Sequence, residues 1–177
     1  MTTRLAFYLG RRSDNASAKI GDWLVCAVTR SQFSHVELLA ASAAAPPGTR
    51  LDGEPYTGVV ATMLSATVHD GEVREALRTL EADRWVVVEL PSSSQGPLAY
   101  VRSRLGVPYG WFDLLSFLLP WRVSWSGSDF CSEVIATAFG LPKPWRVSPG
   151  ALYDWAMTQD GARIVPDDEL RARWVAE

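Results

Sequence analysis

The 177-residue chain holds two cysteines and two histidines. Cys131 is the one whose surroundings suggest chemistry. It stands third in the stretch DFCSEVIATAFG, which otherwise reads as an ordinary amphipathic helix ending at Gly140. A thiol serves as a nucleophile when its thiolate is favoured, a base lies beside it and donors await the developing oxyanion. A helix N-terminus supplies the first and third, through free N–H groups and the helix dipole. With Ser128 or Asp129 as the expected N-cap, Cys131 falls in the first turn. The base must then be a histidine. His35 lies in SHVELLA with Glu37 two residues on, and His69 lies in or beside the HDG turn. A turn fixes a side chain less rigidly than a strand, which favours His35. An inert reading stands beside the reactive one. A single helical cysteine is most often a small apolar residue, and sequence distance alone does not identify a Cys/His pair. Neither cysteine belongs to a CxxC or Cys/His cluster, so no metal and no cofactor is expected.

These residues need a scaffold, and hydrophobic periodicity outlines one. Phe130, Val134, Ile135, Ala138 and Leu141 form the anchoring stripe of the cysteine helix, and Cys131 begins it, facing a sheet. Within Ser34–Ala40, Val36 and Leu38 point one way and His35, Glu37 and Leu39 the other. Arg4–Leu9, Val59–Val68 and Trp85–Leu90 read as further strands, and Ala162–Val165 as a last one. Val73–Leu80 reads as a short helix or irregular connection. From Ala18, the residues Ile20, Trp23, Leu24, Ala27 and Val28 recur at helical spacing, with Ser17 or Asn15 as cap. Cys26 lies one position off that stripe, as a small half-buried residue. Leu98, Val101 and Leu105 space a helix ending at Gly106. Residues 107–121 read as a turn and a short apolar helix, and VSWSGS as a loop. Ser148-Pro149 opens a helix through Trp155. GRRSDNAS and the Pro/Gly/Ala-rich residues 42–58 read as loops. The expected architecture is α+β, a small antiparallel sheet packed against helices, in a single domain over residues 1–177.

Composition narrows the function classes. Hydrophobic residues make up 47% and charged residues 21%, ordinary values for a globular protein. The net charge of −3, with no basic stripe, argues against a nucleic-acid partner. The longest apolar run, Trp111 to Trp121, contains Asp113 and is too short to span a bilayer. The N-terminal apolar run is too short for a signal peptide. A cytoplasmic origin with reduced thiols is therefore expected, with release by lysis or a dedicated export machine left open. The eight tryptophans suit a core or an apolar cleft equally. Nothing in the sequence sets the oligomeric state.

Taken in order, SHVELL, ATMLSATVHDGEVRE, GVPYGWFDLLSFLLPW, FCSEVIATAFGLP and SPGALYDW resemble the circularly permuted branch of the NlpC/p60 papain-like superfamily, with its YiiX-like and lecithin:retinol acyltransferase-like members. In that branch the histidine precedes the cysteine, as here. The resemblance runs from about Ser17 to about Trp155 and is most specific in SHVEL and FCSEVIATAFG. It implies a papain-like fold with Cys131 as nucleophile and His35 as general base and acid. It also implies a third polar residue on the following strand, at Ser65, where many relatives carry Glu. Serine brings no charge to stabilise an imidazolium. Glu37, where a small residue is common, either takes over that orienting role, lines the cleft or pairs with a surface arginine. Tyr109 borders the cleft.

The expectation is a cysteine hydrolase acting through a Cys131 acyl-enzyme. Its substrate would be a peptide-type amide, a peptidoglycan stem peptide by superfamily default, or a lipid-like amide or ester. The alternative from another class is a binding module of papain-like fold with little or no turnover, favoured by the missing acid at Ser65. A third reading exchanges His35 for His69 as base.

Overall fold

The computed structural model describes residues 2–10, 16–43, 59–81, 83–91, 95–110, 117 and 127–174. Six strands form one antiparallel sheet: β1 (Thr3–Leu9), β2 (Phe33–Ala43), β3 (Val59–Thr67), β4 (Glu72–Leu80), β5 (Trp85–Leu90) and β6 (Arg163–Ile164), in the order β4-β3-β2-β1-β5-β6. Alternation along the strands gives the sheet two apolar faces. Leu5, Phe7, Val36, Leu38, Leu64 and Val88 pack against helices α2 (Gly96–Ser103), α3 (Cys131–Ala138) and α4 (Pro149–Thr158), through Val101, Val134, Ile135, Leu152 and Ala156. On the other face, Ala6, Ala61, Met63 and Val87 meet Val165 and Leu170, the latter from α5 (Asp167–Trp174). Asp167, Asp168 and Glu169 fill the first turn of α5, where the helix dipole favours negative charge. The α+β architecture with an antiparallel sheet is thus the one expected. Among the described residues, no helix is long and apolar enough to cross a membrane.

Several expectations change. Residues 72–80 form a strand rather than a helix or irregular connection, although Glu, Ala, Leu and Arg are good helix formers. Pairing decides it: β4 matches β3 over nine consecutive residues, from Val59↔Leu80 to Thr67↔Glu72. Strand preference follows such packing more than local propensity. Helix α1 (Ala16–Thr29) is turned away from its apolar stripe: Ile20, Trp23 and Leu24 are exposed, whereas Cys26 is buried. Cys26 faces Gly10, where even a methyl group would come within 2.7 Å of its Sγ and of Ser34 Cβ. Ser17 lies inside α1, not before it, and Asn15 lies outside the described residues. Helix α2 stops at Ser103, leaving Leu105 half exposed, and Gly106 turns the chain with φ of 81°. The GRRSDNAS loop, most of the 42–58 loop, the apolar helix expected before Pro120 and most of VSWSGS fall outside the described residues.

Helix α4 begins as expected. The Ser148 hydroxyl accepts a hydrogen bond from the N–H of Ala151 at 3.1 Å, and Pro149 occupies the first position. Tyr153 of this helix joins Phe7 and Phe33 in an aromatic triad with centroid separations of 5.3, 4.7 and 5.4 Å. Phe7 is fully buried at its centre. Replacing Phe7 by Ala is expected to lower unfolding free energy by about 3–5 kcal/mol, read as a lower denaturant midpoint.

Candidate active site

Helix α3 brings Cys131 to the sheet. Val134 and Ile135, three and four residues on, are buried among Val36, Leu38 and Leu64. Cys131 is the first helical residue and is 3% exposed. The N-cap is Phe130, in extended conformation and without a side-chain cap, instead of Ser128 or Asp129. Asp129 is committed elsewhere. Its carboxylate accepts from Arg104 Nε at 2.8 Å, its N–H donates to Pro108 and its carbonyl accepts from Gly110. Tyr109, bridged to Asp129 and half-buried, therefore lies next to the start of the cysteine helix. Phe130 itself offers no side-chain acceptor to the first-turn N–H groups.

His35 comes from the start of β2. The register against β1 shifts between Tyr8↔His35 and Leu9↔Phe33, so Ser34 is an extra residue immediately before it. A bulge of this kind adds twist and re-aims the neighbouring side chain. The imidazole has two neighbours that matter for chemistry. Cys131 is near enough for its charge and hydrogen bonding to act on the ring, and Nε2 is 3.2 Å from Oε1 of Glu37. Trp85 stands edge-on to the ring, 6.4 Å between centroids.

Glu37 is 2% exposed, and a buried carboxylate needs compensation. Arg74 of β4 supplies it in a two-pronged bond: Nη1 to Oε2 and Nη2 to Oε1, both at 2.8 Å. The guanidinium also donates from Nη1 to the Met63 carbonyl at 3.2 Å and from Nε to Asp70 Oδ2 at 3.0 Å. Asp70 in turn accepts from the Thr67 hydroxyl at 2.6 Å and from Arg78 at 3.1 Å. A connected line of charge therefore runs from the sulfur through His35, Glu37 and Arg74 to Asp70 in the β3–β4 turn.

The electrostatics follow from these contacts. Burial works to lower the His35 pKa, but the charge and hydrogen bond of Cys131, then those of Glu37, outweigh it and raise it from 6.5 to about 10. Burial works to raise that of Glu37. Its hydrogen bond and attraction to His35, and then to Arg74, overcome this and hold it below the ordinary carboxylate range. Glu37 is thus an anion, an acceptor for the Nε2–H of His35.

The other predicted residues lie as follows. The Ser65 hydroxyl donates to the Val36 carbonyl at 2.7 Å, a backbone contact beside His35. His69 is exposed in the β3–β4 turn. Arg74, Asp70 and Trp85 are the site residues sequence reasoning missed. Reading 73–80 as a strand would have put Arg74 on a sheet face, which is the one signal that could have found it. Among the described residues, no group of three or more His, Cys, Asp or Glu side chains could hold a metal ion.

Two outcomes follow. Ser65→Ala is expected to cost about 1 kcal/mol of stability through the lost buried hydrogen bond, while leaving Cys131 alkylation rates unchanged. The raised His35 pKa sets a pH dependence with a definite sign. A proton held more tightly in the folded state stabilises it fully below the unfolded value of 6.5, and that stabilisation is lost as pH rises toward about 10. The denaturant midpoint should therefore fall more steeply from pH 6.5 to 10 in the unaltered protein than in His35→Gln.

In comparisons with known proteins, the chain matches no family model, no curated protein and no solved structure.

Proposed function

We propose that the chain is a cysteine hydrolase of permuted papain-like fold, cleaving an amide or related acyl bond through a Cys131 acyl-enzyme. The observation that carries this reading is a buried thiol at a helix N-terminus beside an imidazole whose Nε2 is bonded to a carboxylate. His35 takes the thiol proton, and the sulfur attacks the carbonyl carbon, forming a C–S bond. The Cys131 N–H and one neighbouring donor hold the oxyanion. As the intermediate collapses, the C–N or C–O bond breaks and His35 gives its proton to the leaving nitrogen or oxygen. Water then adds to the thioester, His35 accepting its proton, and the carboxylic acid departs as the thiol is restored. Glu37 fills the orienting role, because the Ser65 hydroxyl is spent on a backbone carbonyl. In the superfamily this chain resembles, a peptidoglycan stem peptide is the default substrate and lipid acyl groups are the variant, so both are candidate substrates.

The reading is tested on the thiol itself. An ordinary thiol, with a pKa of about 8.5, is about 0.3% ionised at pH 6, so a thiolate held by imidazolium reacts about 10²-fold faster there. Cys131 should be carboxamidomethylated by iodoacetamide at pH 6 at this elevated rate, followed by mass spectrometry, with His35→Ala abolishing the advantage and His69→Ala sparing it. Hydrolysis of a cognate substrate should fall by roughly 10⁴-fold or more in Cys131→Ala. Ordinary Cys131 reactivity, indifferent to His35, would instead leave a binding module.

A further inference from the structure

The residues flanking the proposed catalytic pair carry more charge than orientation of one imidazole requires. We infer that Arg74 is a positioning residue: it grips both carboxylate oxygens of Glu37 so that Oε1 stays on Nε2 of His35, and Asp70 holds the guanidinium in turn. This inference rests on the proposed hydrolase reading and adds to it the device that holds the base.

Strand register brings the three residues together. Arg74 pairs directly with Ser65 across β3–β4. Continuing the Leu38↔Leu64 pairing of β2–β3 by one residue sets Glu37 opposite Ser65. Glu37, Ser65 and Arg74 therefore form one row across three strands, long, short, long. Strands lie about 4.8 Å apart, so the row spans about 10 Å, and the two long side chains meet only by passing over the central residue. Ser65 is small, is fully buried and turns its hydroxyl down to the Val36 carbonyl. An acid at that position would fill the space the guanidinium crosses. The small residue on β3 and the acid on β2 are thus two halves of one arrangement.

Charge economy points the same way. A buried ion pair contributes little net stability compared with apolar residues of the same shape. Here all three guanidinium nitrogens are engaged, on Glu37, Met63 and Asp70, which leaves the group one orientation. Glu37 has no such constraint from its own strand, since its carboxylate could otherwise rotate away from the ring. Among the described residues, the charged or titratable groups acting on the imidazole are Cys131 from α3 and Glu37 from β2; those acting on Glu37 are His35 and Arg74; those acting on Arg74 are Glu37 and Asp70. Arg74 thus acts on the imidazole through Glu37.

The full chain provides a direct test, because its two histidines are separable by ¹⁵N NMR with His69→Ala as the assignment control. The unaltered protein should show a His35 Nε2–H resonance protected from exchange. Arg74→Lys, which retains the charge but not the fork, and Arg74→Met should both lose that protection, and Cys131 carboxamidomethylation at pH 6 should fall by about tenfold, the equivalent of one pKa unit. Should Arg74→Met fail to fold, Asp70→Asn, altered in the turn, should show a smaller loss in both readouts. Folded Arg74→Lys with unaltered protection and a rate within twofold of the parent overturns the role of Arg74 while leaving the hydrolase reading intact. Ordinary Cys131 reactivity in the unaltered protein overturns both.

Discussion

The site is organised around one buried carboxylate. Moving an ionised group of this size out of water costs several kcal/mol even after relaxation, and Glu37 is almost completely enclosed. It therefore requires cations on both oxygens, and the fold provides an imidazole from its own strand and a guanidinium from two strands away. That requirement reaches into the topology. Arg74 can meet Glu37 only if residues 72–80 run as a strand against β3, and only if β3 offers a small residue at the crossing. It also explains the β3–β4 turn, where Thr67 and Arg78 hold Asp70 in place for the far side of the guanidinium.

The cysteine is held by a different kind of force. Helix α3 is positioned by apolar burial: Phe130, Val134, Ile135 and Ala136 are all within 1% of full enclosure. Burying each large side chain of this kind is worth about 1.5–3 kcal/mol, more than the helix dipole contributes to an anion at its end. The dipole thus does not place the helix; it acts on a sulfur that packing has already placed. The polar residue nearest the cap is drawn off by Arg104, so the N-terminus remains directed at the sulfur and its surroundings. Apolar forces set the distance between helix and sheet, and the charged row sets the angle of the imidazole within that distance.

This division explains what was legible in the sequence. Features set by local pattern could be read: the strands over 3–9, 59–67 and 85–90, the Ser148 cap, the anchoring stripe of α3, and the shared face of His35 and Glu37. Features set by partners distant in sequence could not. The run EVREALRTL has helix-forming residues and becomes a strand through pairing with β3. Helix α1 turns Cys26 inward against Gly10 and leaves its apolar stripe exposed, an arrangement that periodicity does not encode. Which of Glu37 and Ser65 meets the imidazole depends on tertiary bonding: Glu37 reaches Nε2, whereas the Ser65 hydroxyl is bonded to the Val36 carbonyl. Arg74 escaped notice for the same reason, since its partner lies 37 residues away.

Placing the acid on the histidine's own strand has an electrostatic consequence. A carboxylate serving imidazole alone would give its whole charge to the imidazolium. Glu37 divides its charge, with Oε1 accepting from both Nε2 and the guanidinium. The net attraction on His35 is correspondingly weaker, because the oxygen that faces Nε2 is shared with the guanidinium. In exchange, the carboxylate keeps its ionisation when the imidazole loses its proton, since Arg74 still compensates it. A buried Glu paired only with His35 would be left bare at that moment and would compete for the same proton. The guanidinium thereby separates the two titrations, so that a proton leaving His35 goes to an outside acceptor and does not shuttle to Glu37. For a residue proposed to act first as base and then as acid, that separation matters more than the attraction given up.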